Sequence, residues 1–272
     1  MSISSHGTEW NHGTEWNVDT AAETLLRAEQ TRTDRHPLTE DWPDLDVASG
    51  YQVQDALIAR KVAAGEKVVG VKLGLTSQAK QQRMGIDSPL TAWLTDAMML
   101  PAGAAIPTDD LIHPRVEPEI VFVLGERLEG PGITAATALA AVESVYAGIE
   151  VIDSRFTDFR FALPDVIADN ASSARFAFGD VQRKPGDLDL ALEECVLRVD
   201  GHVVDSATGA AVQGHPAQAL ALAANALAAR GRALEAGWIV LTGGMTDAVF
   251  VEPGKPIVAE FTHLGSVTVT GA

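Results

Sequence analysis

Glu117 and Glu119 stand two apart at the head of an apolar run, Arg115-Val-Glu-Pro-Glu-Ile-Val-Phe122. In an extended strand residues i and i+2 share a face, so the two carboxylates would project together. Pro118 between them has no N–H for a ladder, which predicts that the pair lies at a strand's start or on an edge strand. A third carboxylate, Glu150, sits inside Ala147-Gly-Ile-Glu-Val-Ile152. Burying a carboxylate there is costly unless it is paired or bound to a metal. Three carboxylates, completed by water and substrate oxygens, make a hard donor set suited to Mg²⁺ or Mn²⁺. Solvated or salt-bridged glutamates satisfy the same spacing, so the residues alone leave both readings open.

Lys72 is embedded in Val68-Val-Gly-Val-Lys-Leu-Gly74. Its stem can pack while its head reaches water. Alternatively it is a positive group at a site, meeting a carboxylate or enolate with a pKa lowered by burial. Asp169, Asn170, Ser172 and Ser173 are turn formers that could also line a site with hydroxyl and amide donors. Thr242-Gly243-Gly244 follows a predicted strand, and its glycines suit either a tight turn or a ligand carboxylate held by backbone N–H groups. His215, before Pro216, is read as a neighbour of a helix start. Cys195 lies in an apolar strand and is read as inert core. No Ser-His-Asp or Cys-His arrangement can be argued.

These groups need elements to hold them. Apolar spacing predicts helices over 19–32 and 48–64, with a loop over 33–46 between them. Strands are predicted over 67–73, 119–124 and 148–152, with a short helix from Ser77 to Met84 and an Ala-rich helix over 134–145. Residues 195–204 read as a hairpin turning at Asp200-Gly201. Pro216 and Gly231 bracket a helix over 216–229, and strands follow at 238–241, 248–251, 257–261 and 266–269. The fold class is therefore α+β, with a mixed or antiparallel β core and few helices, not a doubly wound parallel sheet. Three regions are expected: a tail over 1–17 carrying a duplicated His-Gly-Thr-Glu-Trp-Asn, a helical flank over 18–66, and a β-rich catalytic part over 67–272.

The chain has 272 residues, 46% of them hydrophobic, with a formal net charge of -17. That field repels polyanions, so neither nucleic acid nor an anionic membrane is an expected partner. An anionic substrate must instead be met by a metal or by local cations. One cysteine permits no intrachain disulfide, which fits a reducing cytoplasm. Residues 1–17 hold no apolar leader run, and no stretch reaches the length of a membrane span.

Five separated motifs carry a resemblance: Lys72-Leu-Gly-Leu-Thr-Ser77, Met84-Gly-Ile-Asp-Ser-Pro89, His113-Pro-Arg-Val-Glu-Pro-Glu119, Gly148-Ile-Glu-Val-Ile-Asp-Ser-Arg155 and Ile167-Ala-Asp-Asn-Ala-Ser172. Together with Gly214-His-Pro216, Thr242-Gly-Gly244 and Gly265-Ser-Val267, they resemble the hydratase/decarboxylase branch of the fumarylacetoacetate hydrolase-like superfamily over about residues 48–270. The resemblance implies a mixed β-roll flanked by N-terminal helices. It implies Mg²⁺ or Mn²⁺ held by Glu117, Glu119 and Glu150, and an active-site role for Lys72. Leu90, Arg155, Ser172, Thr242 and Gly243 become candidates for substrate contact, with Arg155 and Arg160 candidates for a distal carboxylate.

Hydratases of the branch typically carry an acidic residue where this chain has Leu90, and leucine cannot move protons. The resemblance therefore implies decarboxylation of a 2-oxo dicarboxylate, 2-oxo-3-hexenedioate, in the degradation of aromatics. The usual Tyr/Phe-Gly that follows is Thr91-Ala92 here. Three rival readings remain: a hydratase, an acylpyruvate-type C–C hydrolase with His36 as the nearest N-terminal histidine for its base, and a non-catalytic subunit. The last would be expected to lose the triad or Lys72. A homo-oligomer is expected, with a vinylpyruvate hydratase as a partner by resemblance.

Overall fold

Asn17 accepts a hydrogen bond from the Thr20 amide at 3.0 Å and starts the first helix, α1 (Val18–Thr31). Ala21, Ala22, Leu25 and Ala28 form its buried stripe. The computed structural model of the chain describes residues 15–77, 81–82, 85–86, 88–101 and 103–272. Most of the duplicated tail and of the helix expected over Ser77–Met84 lies outside these. A short helix, α2 (Leu38–Asp41), interrupts the expected loop, and Asp46 caps α3 (Val47–Ala63) through the Ser49 amide. Gln54 on α3 is fully buried and donates to the carbonyls of Thr91 and Ile167. The N-terminal helices are thereby tied to the wall of the site described below.

The larger sheet contains β1 (Val68–Gly74), β2 (Leu90–Thr95), β3 (Arg115–Leu124), β4 (Val142–Ile152), β5 (Ser173–Phe178), β8 (Ile239–Leu241) and β9 (Val249–Phe250). Its order is β2-β1-β8-β3-β4-β5, with β9 also on β3. Only β1 and β8 run parallel; the other pairs are antiparallel. The smaller sheet, β11-β10-β6-β7, is built from β6 (Glu194–Val199), β7 (His202–Thr208), β10 (Pro256–Phe261) and β11 (Gly265–Thr270). Its hairpin turns at Asp200 and Gly201, both with positive φ, as the dipeptide predicts. Short helices α4 (Ala135–Ala140) and α5 (Leu163–Ala168) and the longer α6 (Pro216–Ala229) complete the set. His215 caps α6, its Nδ1 accepting from the Ala217 amide.

The core explains which face carries chemistry. Val116, Ile120, Phe122 and Leu124 of β3 join one large apolar cluster that also holds Leu25, Leu57, Leu197, Leu220 and Ile257. The helices, the smaller sheet and this face of β3 therefore share a core. The opposite face of β3 carries Glu117, Glu119 and Val121. There Val121 joins a small second cluster with Leu94, Met98, Phe176 and Leu241.

Three sequence expectations need correction. The Ala-rich helix stops at Ala140, and β4 begins at Val142, far ahead of Gly148. Val142 and Val145 are buried β-branched residues that pair into the full length of β3. Strands β2 and β5 were not expected at all; β2 is buried throughout, so it shows no alternation to read. Finally, Pro118 lies neither at a strand's start nor on an edge. On one side β3 pairs with β4 along its whole length; on the other it meets β8 and then β9, with residues 242–248 crossing the gap between them. The Pro118 carbonyl accepts from the Met245 amide in this gap. In a strand a residue's N and C=O point to the same side, so the missing N–H falls where no ladder runs.

Candidate metal centre and active site

Register brings the three carboxylates together. Glu117 pairs directly with Glu150 across β3 and β4, and Glu119 pairs with Gly148. One carboxylate oxygen from each lies within 4.8 Å of the other two. Like charges opposite one another destabilise a sheet unless something compensates them. Lys72 is part of the answer. It pairs with Leu241, which pairs with Val121, so it projects from the same face as the glutamates. Its Nζ donates to Glu150 Oε2 at 2.9 Å, and Ser173 Oγ donates to Oε1 at 2.8 Å.

The loop after β8 serves the triad from the other side. The Gly243 amide donates to Glu119 Oε2 at 2.7 Å. Its φ is +113°, and a Cβ there would meet Thr76 Oγ1 at 2.1 Å. A Cβ on Gly244 would meet the Glu117 carboxyl carbon at 2.8 Å. Position 243 therefore requires glycine, and a side chain at Gly244 would push the Glu117 carboxylate aside. Glu119 Oε1 is buried and has no hydrogen-bond partner among the described residues. A buried carboxylate oxygen without a donor, beside two further carboxylates, fits a hard divalent cation.

Charge follows from this packing. Burial, then Glu150 and Glu117, holds the Glu119 carboxyl well above the ordinary carboxylate range. Burial also lifts Glu150, against the pull of Lys72. Burial works to lower Lys72, but Glu150, Glu117 and Glu119 outweigh it, and its ammonium sits above its usual range. This corrects the expectation of a lowered lysine. The carboxylate shifts have a consequence for metal binding. A carboxyl with a raised folded-state pKa favours the fold below its unfolded pKa and loses that contribution as pH rises through the folded value. A cation that binds the ionised triad offsets the loss. The gain in Tm on adding Mg²⁺ should therefore grow by several °C between about pH 5 and pH 8. Differential scanning fluorimetry across that range checks this; a gain independent of pH would count against the triad as the metal site.

Through Glu117 and Lys72 the triad borders a cavity of about 220 Å³. Lys72, Glu117, Leu90, Ser172 and Gly244 line it, with Thr76 and Ser77. The remaining walls are apolar: Leu73, Leu75, Ile152, Phe159, Phe161, Val166 and Ala171. The strand that begins with Leu90, β2, is held by Asn170, whose side-chain amide accepts from the Trp93 N–H and donates to its C=O at 2.9 Å each. Two larger clefts lie elsewhere, beside Trp93 and Trp238 and beside Tyr51 and Arg230, and neither contains a triad residue.

Other candidates are placed differently. Thr242 is fully buried and donates to the Ile120 carbonyl at 2.7 Å, and the Gly243 amide is spent on Glu119. Thr242 thus holds the backbone of β3 and Gly243 holds Glu119, and neither lines the cavity. Ser172 lines the cavity, but its hydroxyl reaches Asp169 at 3.2 Å. Arg155 is buried against Asp169, with further bonds to the Asp153 and Asp169 carbonyls, and does not line the cavity. Arg160 is exposed. His36 binds Asp41 at 2.8 Å, away from the cavity. Cys195 is core, its thiol pushed up to about 12 by burial and then by acidic neighbours. Residues not assigned a role from the sequence include Thr76, Leu75 and Val166, whose apolar or hydroxyl side chains carry no spacing signal.

Arg155 is therefore expected to matter for stability rather than for substrate. Arg155→Met would remove the cation from buried Asp169, whose carboxyl burial already lifts to about 6, at a cost of about 3–5 kcal/mol. Chemical denaturation should show that loss, while KM of the folded fraction stays near the wild-type value. A raised KM with unchanged stability would return Arg155 to the substrate.

The comparisons with known proteins agree with this fold. The family model for the fumarylacetoacetate (FAA) hydrolase C-terminal domain matches residues 67–270. The chain is 44% identical over 247 residues to a 4-oxalocrotonate decarboxylase of Pseudomonas sp. (strain CF600), covering 91% of this chain and 94% of that protein. It is 37% identical over 254 residues to a 2-hydroxyhexa-2,4-dienoate hydratase of Comamonas testosteroni, covering 93% and 96%. Among solved structures, 4-oxalocrotonate decarboxylase from Pseudomonas putida G7, complexed with magnesium and adipate, superposes with a TM-score of 0.91 at 40% identity, covering 94% and 97%. With its mixed β-roll, its carboxylate triad and these matches along most of its length, the chain belongs to the fumarylacetoacetate hydrolase family.

Proposed function

We propose that the chain is a metal-dependent carboxy-lyase that converts 2-oxo-3-hexenedioate to 2-hydroxypenta-2,4-dienoate and CO₂. The observation that carries this reading is a three-carboxylate centre with one lysine, opening onto a cavity whose far walls are apolar. The similarity supports it: the decarboxylase relative is closer than the hydratase relative, at 44% against 37% identity.

The reaction breaks the C5–C6 bond. The electron pair flows through the C3=C4 unit to the C2 oxygen, and a proton there completes the dienol. Held by Glu117, Glu119 and Glu150, Mg²⁺ or Mn²⁺ supplies a Lewis acid for the keto-acid end, where charge develops. Lys72, protonated beside Glu150, adds a second positive group and can deliver a proton to the C2 oxygen. Leu73, Leu90, Phe161 and Val166 offer the departing carboxylate no hydrogen bond. A carboxylate held no more tightly before the transition state than in it leaves binding energy for the chemical step.

Leu90 also separates this reading from hydration, since it lines the cavity and carries no acid. A C–C hydrolase needs a water-activating base, and His36 lies outside the cavity. The single cysteine supports a cytoplasmic setting. The dienol product, a substrate for hydration, supports pairing with a vinylpyruvate hydratase in the breakdown of aromatics. Exposed Val203 and Val204 on the edge strand β7 support a homo-oligomer. The assay that tests the reading supplies 2-hydroxypenta-2,4-dienoate with Mg²⁺ and follows water addition. None is expected; turnover would make the chain a hydratase.

A further inference from the structure

Phe159 lines the cavity, yet its backbone is one that phenylalanine avoids. Asp158 and Phe159 both have φ of +57°, in the left-handed region. Such a pair persists only where its surroundings hold it. Here the surroundings come from the segment that carries the metal ligands. Arg115 Cζ lies 4.1 Å from the Phe159 ring centre and 4.4 Å from that of Phe250, so its guanidinium bridges two rings. His113 packs on Phe159 with ring centres 4.8 Å apart. Arg115 is two residues before Glu117 and projects from the same face of β3. It forms no ion pair among the described residues, and its buried Nε has no hydrogen-bond partner there. A guanidinium without a carboxylate is held here by the negative faces of aromatic rings.

We propose that Arg115 is a positioning residue that acts through Phe159: it clasps the ring so that Phe159 stands as a wall of the cavity. The inference rests on the reading that a dicarboxylate loses CO₂ in this cavity. The clasp couples the strand of the metal ligands to the wall over the substrate. Without it the 157–161 segment relaxes, water enters, and the apolar surroundings of the leaving carboxylate are lost. Arg115 itself need not touch the substrate.

The test uses Arg115→Met, Phe159→Leu and the double variant, in the full chain with Mg²⁺. Two readouts are taken: steady-state CO₂ release, and the rate of tryptic cleavage after the exposed Arg160. Each single variant is expected to lower kcat about three- to tenfold while KM changes less than about threefold, the scale set by a half-buried cation–π contact. Because one residue acts through the other, the double variant should be no slower than Phe159→Leu alone. Cleavage after Arg160 should accelerate in all three variants. Effects that multiply in the double variant, or an Arg115→Met protein with wild-type kcat and wild-type cleavage, would overturn the proposal. A large rise in KM confined to Arg115→Met would instead make Arg115 a direct substrate contact. If Arg115→Met does not fold, Arg115→Gln, planar and uncharged, takes its place. If the wild type releases no CO₂, the functional reading fails, while the cleavage readout still decides the clasp.

Discussion

Glu119→Gln should abolish metal-dependent turnover, lowering kcat/KM on the order of 10³-fold or more, while leaving the metal-free fold at least as stable as wild type. The two halves come from one observation. Glu119 is fully buried, its Oε2 takes the Gly243 amide, and its Oε1 has no donor. Glutamine's carbonyl can still accept from Gly243, so the loop after β8 keeps its anchor. What disappears is a carboxyl whose ionised form is disfavoured by burial and then by Glu150 and Glu117. In the absence of metal that removal relieves repulsion; in its presence it removes a ligand. Isothermal titration with Mg²⁺, beside a melt of each metal-free protein, checks both. A variant that binds Mg²⁺ with wild-type affinity, or whose metal-free melt drops by many degrees, would show that Glu119 is structural.

Lys72→Met should separate rate from metal binding. Methionine keeps the packed stem but removes the ammonium that donates to Glu150 at 2.9 Å. With that positive charge gone, a divalent cation meets less repulsion, so Mg²⁺ affinity should hold or rise. Turnover should still fall by about 10²–10³-fold, the usual scale for losing one group aimed at developing charge. Metal titration and kcat measured on the same preparation decide the matter. Loss of metal affinity in parallel with rate would make Lys72 a support for the triad rather than a participant in the reaction.

How far the sequence carried the account depends on the kind of residue. Strand geometry put Glu117 and Glu119 on one face, and Glu150 amid Ile149 and Val151 needed a reason to be there, but the residues alone left solvated glutamates open; the family resemblance joined the three into a metal triad. Register, which sets Glu150 opposite Glu117, was not legible, since it depends on the whole length of β3 and β4. Pro118 was misplaced because the rule about edges assumes an unbroken ladder, and here the neighbouring strand is split into β8 and β9. The partner of Arg155 was not legible because it is set by tertiary packing; Asp169 lies fourteen residues away and takes it. Thr242 and Gly243 were placed near the site, but their donors face Ile120 and Glu119. The apolar walls were the least visible. Leu75 and Val166 carry no spacing signal that marks them as walls of the cavity.

The most direct measurement of the central claim is CO₂ release from 2-oxo-3-hexenedioate by the purified protein, before chelation, after chelation, and after Mg²⁺ is restored. One CO₂ for each dicarboxylate consumed is predicted, lost on chelation and recovered with Mg²⁺. Consumption of the dicarboxylate without CO₂, or release that persists in the chelated protein, would contradict a metal-dependent decarboxylase.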